Sequence, residues 1–106
     1  MRRSPIDYHV LDAVMMGADL YADMVTYLNG ADSLWRIEHD RPLQSAEVFA
    51  SLQRLVRDGF VEVQLLDQVE NDFVSCGEGV WPNNDLAEMF FEVTGRGRVV
   101  FLNWEM

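Results

Sequence analysis

Apolar residues return at helical spacing through the first half of the chain and at mixed spacing through the second. Ile6, Val10, Ala13 and Val14 share one helical face, with Ser4 placed to cap that helix, Pro5 to open it and Gly17 to end it. A second helix is predicted to begin near Ala18. Its buried stripe is Ala18, Tyr21, Ala22, Val25 and Leu28, and Asp19, Asp23 and Thr26 face solvent. Leu20, Met24 and Tyr27 widen the apolar surface beyond that stripe, and Asn29-Gly30 is a stop signal. Residues 30–42 are mixed and polar, which predicts a connection with Leu34, Trp35 and Ile37 tucked inward.

The stretch 45-SAEVFASLQRLVRDGFVEV-63 predicts the third helix. Ser45 is its N-cap candidate, with no capping-box partner at the right spacing. Val48, Leu52, Leu55 and Val56 form its core face with Phe49 beside them, while Glu47, Ser51, Arg54 and Asp58 run along the opposite face. Gly59 stands where a left-handed residue ends a helix at little cost. The β-branched and aromatic run 60-FVEVQLL-66 predicts a strand, and 89-MFFEV-93 its partner. Residues 67–88 between them are rich in Gly, Asn and Asp and read as a loop. Thr94 can cap a last helix over 95–106, in which Val99, Val100 and Phe101 are available to pack.

Helix, helix, helix, strand, strand, helix defines the expected fold: mainly α with a small β-hairpin, an α+β winged helix-turn-helix. One domain is expected over 1–106, with the wing at about 60–93 and the C-terminal helix at about 95–106. A chain of 106 residues with 49% apolar and 25% charged residues is suited to one globular core. Its single cysteine, Cys76, excludes an internal disulfide and fits a reducing, cytoplasmic setting. No apolar run reaches the roughly 18 residues a membrane helix needs, and Asp7, His9 and Asp12 interrupt what would otherwise resemble a signal peptide.

The runs 10-VLDAVMMGADLYADMVTYLNG-30, Leu34-Trp35, 45-SAEVFASLQRLVRDGFVEV-63 and 91-FEVTGRGR-98 resemble the PadR-like transcriptional regulators. Phe49 stands where that family has a Tyr, in a pattern aromatic-x-x-Leu-x-x-Leu-x-x-x-Gly, and Phe91 to Arg98 match its aromatic-x-x-Thr-x-x-Gly-Arg motif. These are core and capping patterns, specific for a fold rather than a ligand. Tyr21-Ala22 replaces the family's Gly-Tyr, and the last helix over 95–106 would supply little of the long dimerisation helix of many relatives. The resemblance implies duplex-DNA binding, and the apolar surface of the first two helices beyond one stripe, with the apolar last helix, predicts a homodimer.

Charge complicates that implication. The net charge is −10, and all eight basic residues are Arg. Residues 59–93, which include the wing, carry eight acids and no Arg. A winged helix ordinarily sets a basic wing residue against the backbone or minor groove, and affinity for duplex DNA comes largely from neutralised phosphates. The candidate DNA-binding residues are therefore Arg41, Gln44, Ser45, Glu47, Ser51, Arg54 and Arg57 at the third helix. In that arrangement Gln44 is suited to adenine, Arg54 to guanine, and Glu47 to cytosine. The candidate dimer interface is Leu20, Met24, Tyr27, Phe101, Leu102 and Trp104.

Other chemistry is sparse. The runs 77-GEG-79 and 95-GRGR-98 lack the strand context of a phosphate loop. Asp19 with Asp23 reads as solvated surface, and Cys76 as inert. His9 and His39 are isolated along the chain, which argues against a metal site, and no cofactor is expected. No nucleophile, base and orienting group can be assembled, so enzymatic activity is not expected. Three function classes remain: a transcriptional regulator, a winged helix repurposed to bind a protein partner, and a DNA mimic whose acids are themselves the site.

Overall fold

The computed structural model describes residues 4–104; the Arg2-Arg3 pair and residues 105 and 106 lie outside them. Helices α1 (Pro5–Met15), α2 (Tyr21–Asn29), α3 (Leu34–Glu38) and α4 (Ser45–Arg57) precede strands β1 (Val61–Asp67) and β2 (Asp72–Ser75). A 3-10 turn (Leu86–Glu88), strand β3 (Phe90–Val93) and helix α5 (Gly95–Leu102) complete the α+β arrangement.

Helix α1 starts as its sequence predicts: Ser4 Oγ accepts from the Ile6 N–H at 3.2 Å, and Pro5 occupies the first turn. Helix α2 starts at Tyr21 rather than Ala18. Gly17 has φ +97°, and the chain after it is engaged elsewhere: the Asp19 carbonyl accepts from the Phe91 N–H of β3 at 2.8 Å. The face it turns to the core also differs from the expected stripe. Met24 and Leu28, one turn apart, are buried, whereas Ala22 is exposed.

The connection after α2 contains a helix that its polar composition concealed. Ser33 caps α3, accepting from the Arg36 N–H at 3.2 Å and donating to the Leu28 carbonyl at 2.6 Å. Of the three apolar residues expected inward, Trp35 is buried. Leu34 is exposed, and so is Ile37, at 70%, because a single helical turn can present only one face to the core. Asn29 closes the connection by donating to the Leu43 carbonyl at 2.9 Å and accepting from the Leu43 N–H at 2.7 Å.

Helix α4 buries Val48, Leu52, Leu55 and Val56 as predicted. Its N-cap is Gln44, not Ser45, and Glu47 reaches back to accept from the Gln44 N–H at 3.1 Å, half of a capping box. Gly59 ends the turn after it with φ +80°. Phe60, Val61 and Val63 then join Leu11, Val14, Leu28 and Trp35 in one core cluster.

The sheet has the order β2-β1-β3, all antiparallel. β1 pairs with β3 as expected, from Val61↔Val93 to Gln64↔Phe90. The predicted loop over 67–88 is partly ordered: β2 folds back on β1 from Asp67↔Asp72 to Gln64↔Ser75, with Asn71 at φ +54° in the turn. All four residues of β2 are exposed, so core burial left no alternation there to read.

Thr94 joins the sheet to α5. Its hydroxyl accepts from the Gly97 N–H at 2.9 Å and donates to the Gly59 carbonyl at 2.7 Å, and its own N–H reaches the Phe60 carbonyl at 3.0 Å. Gly97 is there for close approach, since a Cβ would sit 2.0 Å from the Phe60 carbonyl oxygen. Phe101 stacks on Tyr8 of α1 with ring centroids 5.0 Å apart, whereas Val99, expected to pack, is exposed.

Candidate functional site

The outward face of α4 is the first place to look for a nucleic-acid surface. Gln44, Ser45 and Arg57 are exposed, Arg57 to 72% on its side chain, with a marginal 3.4 Å contact to Asp58. Ser51 and Arg54 do not join them. Both turn toward α1 and converge on Asp7, which is buried. Ser51 donates to Asp7 Oδ1 at 2.7 Å, and Arg54 Nη2 reaches the same oxygen at 2.6 Å. Asp7 holds the Arg54 guanidinium even more firmly charged than usual. The helical wheel set these residues opposite the α4 core face. That side of α4 meets α1, so Ser51 is an interior contact and the half-buried Arg54 is tied to a buried carboxylate.

Arg41 is also engaged. It grips Glu47 through both terminal guanidinium nitrogens, at 2.9 and 3.0 Å, and lies 5.3 Å from the Trp35 ring centroid. The Arg41 hydrogen bond and the Gln44 N–H together hold the Glu47 carboxyl below the usual range. An arginine already neutralised by a carboxylate releases few counterions on meeting phosphate, so its contribution to DNA affinity falls.

The strands present a different surface. Even-numbered positions of β1 point away from the core, and Leu66 stands opposite Phe73 of β2. Phe73 meets Phe90 of β3 with ring centroids 4.6 Å apart. This apolar cluster is rimmed by Glu62 and Glu92, with Gln64 bonded to Glu92. An open groove of about 290 Å³ runs from Phe73 and Phe90 to Met15 and Arg98. Across the 59–93 segment, Glu62, Asp67 and Asp72 accept from hydroxyl or backbone donors, and Glu78 pairs with Arg96 at 3.1 Å. The Cys76 thiol is pushed above the usual thiol range by burial and then by Glu62, which suppresses its thiolate.

The residues assigned to a dimer interface separate. Met24 is fully buried inside its own chain and has no surface to offer a second copy. Tyr27 is half-buried and donates to Asp12 at 3.2 Å. Phe101 and Trp104 pack on Tyr8. Leu102 is exposed, and Leu20 lines an apolar hollow of about 350 Å³ with Leu86 and Ala87.

One cluster escaped sequence reasoning. His9 and His39 are thirty positions apart in the chain, yet the structure brings them together with Glu38. His9 is buried to 1% exposure. Desolvation by that burial lowers its pKa and so favours the neutral imidazole, and the nearby Glu38 carboxylate pulls the other way. Ser33, the cap that starts α3, was the available signal: it sets the helix whose end carries Glu38 and His39 toward α1.

Comparison of the chain with protein-family models, with curated proteins and with solved structures returns no match. Among the described residues no helix is long and apolar enough to cross a membrane.

Proposed function

We propose that the chain is a winged-helix module that acts by binding a protein partner rather than by reading duplex DNA. One observation carries this reading: Arg41 and Arg54, two of the three arginines best placed on or beside the third long helix, are held by Glu47 and Asp7. A recognition helix needs free cations to displace counterions, and this one keeps chiefly Arg57, beside a segment of eight acids. The Leu66, Phe73 and Phe90 cluster with its acidic rim supports the positive half of the proposal. An apolar centre ringed by charge is the usual anatomy of a protein interface. A partner of matching chemistry presents apolar side chains surrounded by Lys and Arg.

The deciding experiment is fluorescence anisotropy with a random duplex at two salt concentrations. No measurable binding is expected at low salt. A dissociation constant of about 10⁻⁶ M or tighter at physiological salt, the strong end of non-specific DNA binding, rejects the proposal. Cross-linking in lysate of the source cell then tests the surface: partners captured by wild type should be lost with Phe73→Asp, which sits on an exposed strand and leaves the core intact.

The second reading is a PadR-like transcriptional regulator acting as a homodimer. It is supported by the exposure of Gln44, Ser45 and Arg57 at the outward face of the recognition helix and by the resemblance in the 49–59 and 91–98 motifs. On this reading, neutralising Glu70, Asp72 and Glu78 together strengthens duplex binding, because repulsion is removed and Arg96 is released from Glu78.

A further inference from the structure

We propose that His9, Glu38 and His39 bind one divalent transition-metal ion of the zinc class, with two imidazole nitrogens and one carboxylate oxygen as ligands. One donor atom from each residue lies within 4.8 Å of the other two. His9 Nε2 and Glu38 Oε2 are 3.4 Å apart, which is about the edge of a tetrahedron built on metal–ligand bonds of about 2.1 Å. That contact is close but not aligned as a hydrogen bond. Among the described residues, both ring nitrogens of His9 and Nδ1 of His39 are buried without any hydrogen-bond partner. Buried polar atoms in folded proteins are almost always satisfied, and one left bare costs free energy. Here three such atoms fall in one cluster, and a carboxylate stands beside them.

The rings are held in place by packing, which leaves their nitrogens available. Trp35 stacks on His39 with centroids 3.8 Å apart and meets His9 edge-on at 5.2 Å. Trp35 is itself fixed by donating to the Arg41 carbonyl at 2.9 Å. Tyr8 also meets His9 edge-on, at 5.5 Å. His9 forms the buried floor of the site on α1, while the exposed Glu38 and the half-buried His39 form its rim at the end of α3, on the solvent side. Two imidazoles and one carboxylate suit zinc and its neighbours in the first transition row. Magnesium and calcium prefer all-oxygen sites. Three protein ligands leave a position for water or for a group on another molecule, and the bound ion would clamp α3 to α1.

The test uses the full chain, stripped with a chelator and titrated with zinc chloride by calorimetry. One tight equivalent is expected, retained in the presence of excess magnesium or calcium. Glu38→Gln and His39→Gln lie at the rim and should fold as wild type. Each should weaken zinc binding by more than the roughly 10–100-fold that loss of a residue merely supporting a ligand costs. Cys76→Ser should bind as wild type. The chain has two histidines and no others, so imidazole nitrogen NMR reads the site directly: zinc should shift ring signals of both. The proposal is overturned if both rings keep their shifts on zinc addition, as they would were a water molecule their partner. It is equally overturned if both rim variants bind zinc as wild type does, or if calcium competes on equal terms, which would place the ion on surface carboxylates.

Discussion

Helix α1 buries two polar groups two residues apart, and the structure treats them in opposite ways. Asp7 is met by the Ser51 hydroxyl and the Arg54 guanidinium, so its charge is compensated and its lone pairs are used. His9, on the same helix and equally buried, faces Glu38 and His39 without a hydrogen bond to either ring nitrogen. The first cluster ties α1 to α4 and is complete within the chain. The second is incomplete among the described residues, where His9 has only the 3.4 Å contact with Glu38. A satisfied buried network explains a fold, whereas an unsatisfied one asks for a partner from outside.

Mutations separate the two cases, with a purely apolar site as the scale. Leu52→Ala, in the centre of the α4 core face, should cost about 2–5 kcal/mol through lost burial and the cavity left behind. An unchanged urea midpoint would refute the core assignment. Asp7→Ala should cost about 2–3 kcal/mol. This is below the 3–5 kcal/mol of a fully buried broken pair, since the Arg54 side chain is 38% exposed and can turn partly to water. Asp7→Asn should recover part of the loss by keeping the acceptor for Ser51. Equal midpoints for Asp7→Ala and wild type would show that the pairing contributes nothing.

The same experiment at His9 should give the opposite sign. In protein stripped of metal, His9→Met replaces two unsatisfied nitrogens with an apolar side chain of similar volume among Tyr8, Trp35 and His39. Removing a buried unpaired polar group should stabilise by about 1 kcal/mol. With excess zinc the order should invert, because wild type gains the free energy of binding and the variant does not. A variant less stable than wild type under chelation would mean that His9 is already satisfied, and the contrast with Asp7 would dissolve.

Much of this was legible in the sequence where burial is periodic. The α4 core face, the Ser4 and Thr94 caps, the Gly59 stop and the β1–β3 pairing follow from spacing and turn chemistry, and the α+β class follows from them. The failures share a cause. Strand β2 and helix α3 are short and bury little, so no period announces them. A helical wheel turns Ser51 and Arg54 outward because it knows one core, while α1 meets a second side of α4. The His9 cluster depends on how the end of α3 meets α1, a tertiary juxtaposition that linear spacing does not encode.

The smallest effect expected belongs to the Arg41–Glu47 pair, which is paired like Asp7 but exposed. Glu47 has its carboxyl lowered by the Arg41 hydrogen bond and then by the Gln44 N–H. A group whose folded pKa is depressed stabilises the fold above its unfolded pKa, and that contribution is lost as pH falls toward the folded value. Wild type and Glu47→Gln should therefore differ most in Tm near neutrality and converge as the solution is acidified below the ordinary carboxylate range. The neutral-pH gap should be small and shrink with added salt, because water and ions screen an exposed pair. The Asp7→Ala gap at neutrality should survive the same salt, since bulk ions do not reach a buried carboxylate. If salt closes both gaps equally, Asp7 is no more shielded than Glu47, and burial is not what distinguishes the two pairs.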